Sequence, residues 1–547
     1  MKRPDIKDLT LREKIAQLCI VRQSDLFMYE DSAYTKFRTV EEARELVKKN
    51  QYGGIWVHGG VDVNQINGFW RENVKFDTKS LMDWYKEVRK DAKIPIIAAN
   101  DAAGKGACVD LGRFTIGLAM GASSYEEASF EVGQSIGREL SLYGIDWVWS
   151  PICDLVHRRV SGIVRQYANN ADDIIRCATG YMKGLQSMNV SATAKHFPGS
   201  DGKELRDSHI VTTNMNISME DWWKDQGRIF QALIDAGVDA IMNSARTFPA
   251  ADDTMVDGRY LPAGLSYKIL TELLKEKMGF KGVIITDDVN MGGYTSYYNG
   301  GKLYAEFIKA GNDMLLGVGV DAVDLIEEEV KKGTVSVERI DDAVERVLDM
   351  KEKRGLFTDG YRNPEYTAEE AVKITSEVNR KVAETSVTLV RDRINAVPYD
   401  KEKIKKVAII SYAHIPLVNS LGPMKEEFER HGAEVLLRTR LENFDEAKQI
   451  ADEYDLIVYA GYIGFHAPKG APSFYGDEFW SLRHAFVYGK EKSVGVSLGY
   501  PHIMYDFMDD AHVFVNTYNT SPEMQVAFVK GLYGDIPFVG KSPVELD

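Results

Sequence analysis

Asp207 and His209 stand two residues apart in RDSH, inside a loop dense in titratable groups, AKHFPGSDGKELRDSHIVTT (194–213). In a loop, this spacing lets a carboxylate reach the nearer ring nitrogen of an imidazole. The contact fixes the tautomer, makes the ring a better base and leaves the other nitrogen to take and give a proton. A loop histidine that only bonds its neighbour would have the same spacing. Lys195 and His196 end the apolar run VSATAKHF, where a lysine must be ion-paired or solvated in a cavity. Asp287 ends GVIIT, either as a reactive carboxylate or as a cap on the next turn. Asp101 ends IPIIAAN as a turn former or a ligand contact, and Arg165, in SGIVRQY, is an ion-pair residue or a substrate clamp. Each has an ordinary structural use. Together they put acids and bases at the C-terminal ends of successive apolar runs. Such a site suits a polyhydroxylated ligand, whose hydroxyls need both donors and acceptors.

The elements that would position these groups alternate regularly. Short apolar runs at 53–59, 94–101, 144–154, 189–197, 237–245, 282–288 and 312–317, with another candidate at 17–23, are separated by amphipathic helical stretches. Continuous apolar character fits strands buried on both faces, and the repetition predicts an α/β fold with an N-terminal (β/α)8 barrel over 1–356. In LSYKILTELLKEKMGF, Ser266 is an N-cap candidate, Ile269, Leu270, Leu273 and Leu274 share a helical face, and Gly279 supplies a left-handed stop. KGVIITDD follows at once, which puts Asp287 and Asp288 on the rim where barrel enzymes keep their chemistry. Residues 357–405 read as a linker with a helix. From 406 to 547 a second α/β series predicts a sandwich domain with a mainly parallel sheet, without a Walker or dinucleotide fingerprint.

Composition narrows the partners. The 547 residues are 44% hydrophobic and 27% charged, and 67 basic against 82 acidic residues give a net charge of −15. That balance argues against nucleic acid and anionic membranes as partners, because phosphate-rich surfaces call for clustered Lys and Arg. Cys19, Cys108, Cys153 and Cys177 form no CxxC and read as reduced, mostly buried thiols. The charged N-terminal stretch has no signal-peptide core and no run reaches membrane-spanning length, so a cytoplasmic location is expected. With no HxH strand end and no HExxH, neither a metal nor a cofactor is expected.

KHFPG (195–199), DSH (207–209) and LTELLKEKMGFKGVIITDDVNMGG (270–293), in this order and spacing, resemble glycoside hydrolase family 3. The sequence is most similar to the β-N-acetylglucosaminidase branch with a histidine loop. The resemblance spans essentially the whole chain; AETSVTLVRD (383–392) resembles the helix-to-strand entry into the family's second domain. It implies that Asp287 is the nucleophile, His209 the general acid/base and Asp207 its orienting partner. It also implies that Asp101, Arg165, Lys195 and His196 hold sugar hydroxyls. The reaction implied is retaining hydrolysis of terminal β-linked N-acetylglucosamine from cell-wall fragments, muropeptides or chitin-type oligosaccharides. A histidine base does not repel an anionic acceptor as a carboxylate would, so phosphate is a second possible acceptor, making a phosphorylase. A second enzyme reading is a β-glucosidase or β-xylosidase of the family, whose members usually take an acid/base glutamate from the second domain that a usable His209 loop makes unnecessary; a catalytically dead sugar-binding protein is the non-enzyme reading. Two stretches depart from the family pattern. SDG (200–202) follows KHFPG in a loop one residue longer, which offers Asp201 a share of the role of His209. DAAGKGACVD (101–110) stands where DxEGG is common.

Overall fold

The computed structural model describes residues 2–31, 34–57, 85–101, 117–157, 165–358, 365–413, 418–463, 473–474, 476–485, 487–506 and 511–546. The end of the apolar run at 53–59, Cys108 and the stretch 102–110 lie outside them, as does most of SGIVRQY before Arg165.

All eight apolar runs contain strands. They are β1 Cys19–Arg22, β2 Gly54–Trp56, β3 Ile97–Asn100, β4 Trp147–Val148, β5 Ser191–Phe197, β6 Ala240–Asn243, β7 Val283–Asp288 and β8 Met314–Val318. They close a barrel in which β1 pairs with β2 and β8, and every pairing is parallel. Side chains two apart on one strand point to the same face. Accordingly Ile97 and Ala99, Trp147 and Trp149, Ala240 and Met242, Val283 and Ile285, and Met314 and Leu316 fill one apolar cluster. Their neighbours out of phase, such as Ala98, Val148, Ile241, Ile284 and Leu315, are equally buried. Burial on both faces is why the strands read as continuous apolar runs. The register shifts between Lys195 and Phe197 and between Ile285 and Asp288. Such irregularities re-aim side chains at barrel rims, and here they fall at the ends bearing His196 and Asp287.

The helix before β7, Lys268–Lys277, departs from the expected α-type turn. Its bonding is of the wider π type, ending with Met278 N donating to Leu273 O at 2.9 Å. The apolar face survives: Ile269, Leu270, Leu273 and Leu274 are buried. Ser266 Oγ accepts from Ile269 N at 3.1 Å, and Gly279 ends the helix at φ +74°.

Lys351, on the helix Val337–Lys353, is fully buried and donates to Gln17 Oε1 at 2.7 Å. Burial pulls its ammonium down to about 7, against the attraction of Asp146 and with repulsion from Arg89. An unfolded lysine titrates near 10.4. Between those values the unfolded chain binds more protons, so stability falls as pH drops from about 10 to about 7. Lys351→Met is therefore expected to raise Tm by several degrees at pH 7 and by less at pH 9.5, measured calorimetrically. Equal gains at both pH values would contradict this.

Contacts divide the protein into two compact units: Met1–Gly112, Gly133–Asp154 and Ala178–Thr375; and Arg113–Val132, Leu155–Cys177 and Ser376–Asp547. The second unit holds a six-stranded sheet in the order β9, β14, β13, β12, β10, β11. The strands are β9 Thr388–Asp392, β10 Lys406–Ala413, β11 Glu434–Thr439, β12 Leu456–Tyr462, β13 Ser493–Ser497 and β14 Val513–Asn516. All pairs are parallel except β9 with β14, which gives the mainly parallel sheet expected. Ala408, Ile410 and Tyr412 pack with Ala447, Ile450 and Leu482, while the alternating Val407 and Ile409 are also buried, as a sheet covered on both faces requires. β9 falls inside the stretch read as a linker, after the helix Ala368–Ser386. Only its first residue is fully buried, which suits an edge strand with a weak sequence signal. Cys19, Cys153 and Cys177 are buried and free, and no described helix is long and apolar enough to cross a membrane.

Candidate active site

β5 delivers a lysine and a histidine to the barrel rim. Lys195, 2% exposed, donates to Asp101 Oδ1 at 2.6 Å, just past β3. His196 turns its Nδ1 to Asp154 Oδ2 at 2.6 Å, beyond β4. Arg246, beyond β6, donates through one Nη1 to Asp154 Oδ1 at 2.6 Å and to Gly199 O at 2.5 Å. Burial alone would raise the Asp154 carboxyl, but Arg246 and His196 outweigh it and hold it well below the usual carboxylate range. Burial also dominates at His196, pushing it below the ordinary histidine value despite the pull of Asp154 and Asp287. That direction favours the neutral form of the ring. In that form its only N–H is spent on Asp154, and Nε2 is left as an acceptor.

The loop after β5 is tied down along its length. Trp222 Nε1 donates to Pro198 O at 2.7 Å, Ser200 N donates to Gln226 Oε1 at 2.7 Å, and Gln226 Nε2 returns a bond to Ser200 O. Asp201 is bonded to the backbone of its own loop and of the stretch that follows. Its Oδ1 accepts from Lys203 N and its Oδ2 from Asn216 N, both at 2.9 Å, so it serves as a turn-forming carboxylate. At the loop's end Asp207 Oδ1 accepts from His209 N at 2.9 Å and meets His209 Nδ1 at 2.7 Å. The Asp207 side chain is 5% exposed and that of His209 48%, so the carboxylate is buried behind a ring that faces outward.

β7 ends in two carboxylates with different uses. Asp288 pairs with Arg22 of β1 and accepts from Asn290 N and Nδ2 at 3.0 Å each. Asp287 accepts from Asp288 N at 2.8 Å and stays half-buried. Its charge acts on His196 and on buried Tyr294, whose hydroxyl donates to Asn243 Oδ1 at 2.9 Å. The turn that follows is bonded to the histidine loop: Gly292 N donates to His209 O at 2.9 Å and Gly293 N to Ser208 O at 3.3 Å. The loops bearing Asp287 and His209 therefore form one backbone-linked assembly. A Cβ on Gly292 would lie 2.1 Å from Ile210 O. Gly292→Ala must push the loops apart, and a kcat loss of about 10- to 100-fold with little change in Tm is expected. Wild-type kinetics in that variant would show that the contact does not align the site.

Asp101, Lys195, His196, Asp207, His209 and Asp287 thus all lie on strand ends and loops of the barrel. Arg165 falls within the second unit, where its carbonyl oxygen lies 2.5 Å from the position of a Cβ on Gly117. Asp154 and Arg246 were not singled out from the sequence, although both follow barrel strands and the rule that found Asp101 and Asp287 would have found them. Among the described residues no group of three or more His, Cys, Asp or Glu side chains could hold a metal ion.

Residues 10–350 match the glycosyl hydrolase family 3 N-terminal domain. A β-N-acetylglucosaminidase/β-glucosidase of Cellulomonas fimi is 25% identical over 440 residues, 75% of this chain and 76% of its own length. A β-hexosaminidase of Tolumonas auensis is 29% identical over 287 residues, 50% of this chain and 78% of its own. Two solved structures share the fold. The β-glucoside phosphorylase BglX superposes with a TM-score of 0.83 at 22% identity, covering 99% of this chain and 94% of that one. A glycoside hydrolase family 3 β-N-acetylglucosaminidase from Paenibacillus sp. str. FPU-7 superposes with a TM-score of 0.78 at 23% identity, covering 98% and 99%. Because the domain match runs through all eight barrel strands and both loops that carry the paired acids and histidines, the chain belongs to glycosyl hydrolase family 3 and is a glycosidase.

Proposed function

We propose that the protein is an exo-acting, retaining β-N-acetylglucosaminidase that releases terminal β-linked N-acetylglucosamine from cell-wall fragments or chitin-type oligosaccharides. The observation that carries this reading is the Asp207–His209 dyad, held by backbone bonds to the turn that follows Asp287. In the first step Asp287 attacks the anomeric carbon while His209 Nε2 protonates the departing oxygen. In the second, the neutral ring takes a proton from water as it breaks the glycosyl-enzyme. Asp207, from its buried position, fixes the ring and balances its charge. Lys195 with Asp101, and His196 through Nε2, supply donors and acceptors for the sugar hydroxyls. The substrate choice is supported by relatives named β-N-acetylglucosaminidase/β-glucosidase and β-hexosaminidase. Release of nitrophenol from the β-glycosides of GlcNAc, glucose and xylose tests it: the GlcNAc compound is expected to give the highest kcat/KM, and a preference for glucose or xylose would overturn the choice.

A second reading is phosphorolysis. The half-exposed base is an imidazole whose carboxylate partner is buried behind it, so an attacking phosphate meets a neutral ring. Phosphate-dependent formation of a sugar 1-phosphate supports this reading; identical turnover and products with and without phosphate end it.

A further inference from the structure

We propose that Arg246 is a positioning residue that fixes the hydroxyl-binding face of His196 and roots the His209 loop through the same guanidinium nitrogen. The proposal rests on the reading of His196 as a sugar ligand. One Nη1 bridges Asp154 Oδ1 and Gly199 O, and the other oxygen of Asp154 receives His196 Nδ1. These three side chains come from the ends of β6, β4 and β5, and the Asp154 side chain is only 4% exposed.

The groups acting on His196 are Asp154 beyond β4, Asp287 on β7 and Lys195 beside it, with Arg246 reaching it through Asp154. Lys195 is in turn paired with Asp101, and Tyr294 lies within the influence of both Asp287 and Arg246. Within this set Arg246 neutralises Asp154, so the carboxylate can accept the Nδ1 proton without drawing a second proton onto the ring. Nε2 then stays an acceptor for a sugar hydroxyl. Without Arg246, the buried charge of Asp154 would be balanced only by imidazolium, and Nε2 would become a donor. The other arm of Nη1 ends on Gly199, at φ +121°, where the loop toward His209 begins. A Cβ there would lie 1.4 Å from Gln226 Oε1, so the loop root has a single seat. One cation thereby sets both the sugar-binding histidine and the start of the acid/base loop.

The test uses the full chain with ¹⁵N-labelled histidine, the His196 signals being assigned with His196→Asn. Wild type is expected to show a neutral Nδ1–H ring from pH 6.5 to 9. Arg246→Met is expected to show imidazolium at pH 7. On the nitrophenyl glycoside that wild type cleaves, its KM should rise about tenfold and the acid limb of kcat/KM should move up by about one pH unit. Arg246→Lys, whose ammonium can donate to both acceptors, should restore the neutral ring. Arg246→Gln, which keeps a donor but no charge, replaces the Met variant if that variant does not fold. A neutral His196 in the uncharged variants, with unchanged KM and pH limb, overturns the proposal. A changed ring with unchanged KM supports the relay and removes His196 from sugar binding. Wild-type inactivity on all three glycosides overturns the reading of the site while the histidine spectra still decide the relay.

Discussion

Asp287→Asn is expected to lower kcat by about 10⁴-fold or more on any glycoside the wild type cleaves. The substitution is isosteric, and the amide oxygen can keep the bond from Asp288 N now made at 2.8 Å. Asp288 retains its own partners, Arg22 and Asn290, so the end of β7 stays in place and Tm should barely move. What disappears is the negative charge that makes the carboxylate a nucleophile, the role proposed for Asp287. The neighbouring carboxylate cannot take over, because its oxygens are committed to Arg22 and Asn290. Asp287→Gly opens space for an external nucleophile at the same face of the sugar. Azide should then restore turnover and give the α-glycosyl azide, the inverted product. Asp287→Asn with more than a tenth of wild-type kcat would remove Asp287 from the chemistry.

His209→Ala should show a different pattern. Loss of the acid/base typically costs 10²–10⁴-fold, but a nitrophenolate leaves without needing a proton. The first step therefore proceeds and the second stalls, so a burst of nitrophenol precedes slow turnover. Azide needs no base, attacks the accumulated glycosyl-enzyme and should give the β-glycosyl azide, with retained configuration. The opposite stereochemistry in the two variants separates the nucleophile from the acid/base. Asp207→Asn is milder. Both bonds from His209 go to the same oxygen, Oδ1, which an amide oxygen can replace, so geometry survives and only the charge is lost. The expected loss is about 10- to 100-fold, largest for glycosides with poor leaving groups, where protonation matters most.

The barrel was legible because strands buried on both faces leave continuous apolar runs, and even the shortest, β4, lies within GIDWVWSPICD. Lys195, His196 and Asp287 were legible because an ionisable group that interrupts such a run must emerge at a strand end. Asp154 and Arg246 stand a few residues beyond their strands, and their importance comes from meeting each other across the rim, which one-dimensional spacing does not contain. Asp201 illustrates the converse: a loop aspartate reads as reactive until its two oxygens are seen accepting backbone amides. β9 was legible only through the likeness of AETSVTLVRD to a helix-to-strand entry, because a half-buried edge strand of five residues that closely follows a long helix has little apolar signal of its own. The π-type bonding of Lys268–Lys277 left no trace either, since either winding buries the same four apolar residues.

The most direct test of a shared site for Asp287 and His209 is a trapping experiment. A 5-fluoro or 2-fluoro glycoside with a good leaving group is incubated with wild type and with His209→Ala, and the labelled peptide is mapped by mass spectrometry. One sugar per chain is expected on the peptide spanning 282–293, attached at Asp287, with slower release of that sugar from the His209 variant. A label on any other residue, or a trapped sugar that leaves both proteins at the same rate, would contradict a site shared by these two side chains.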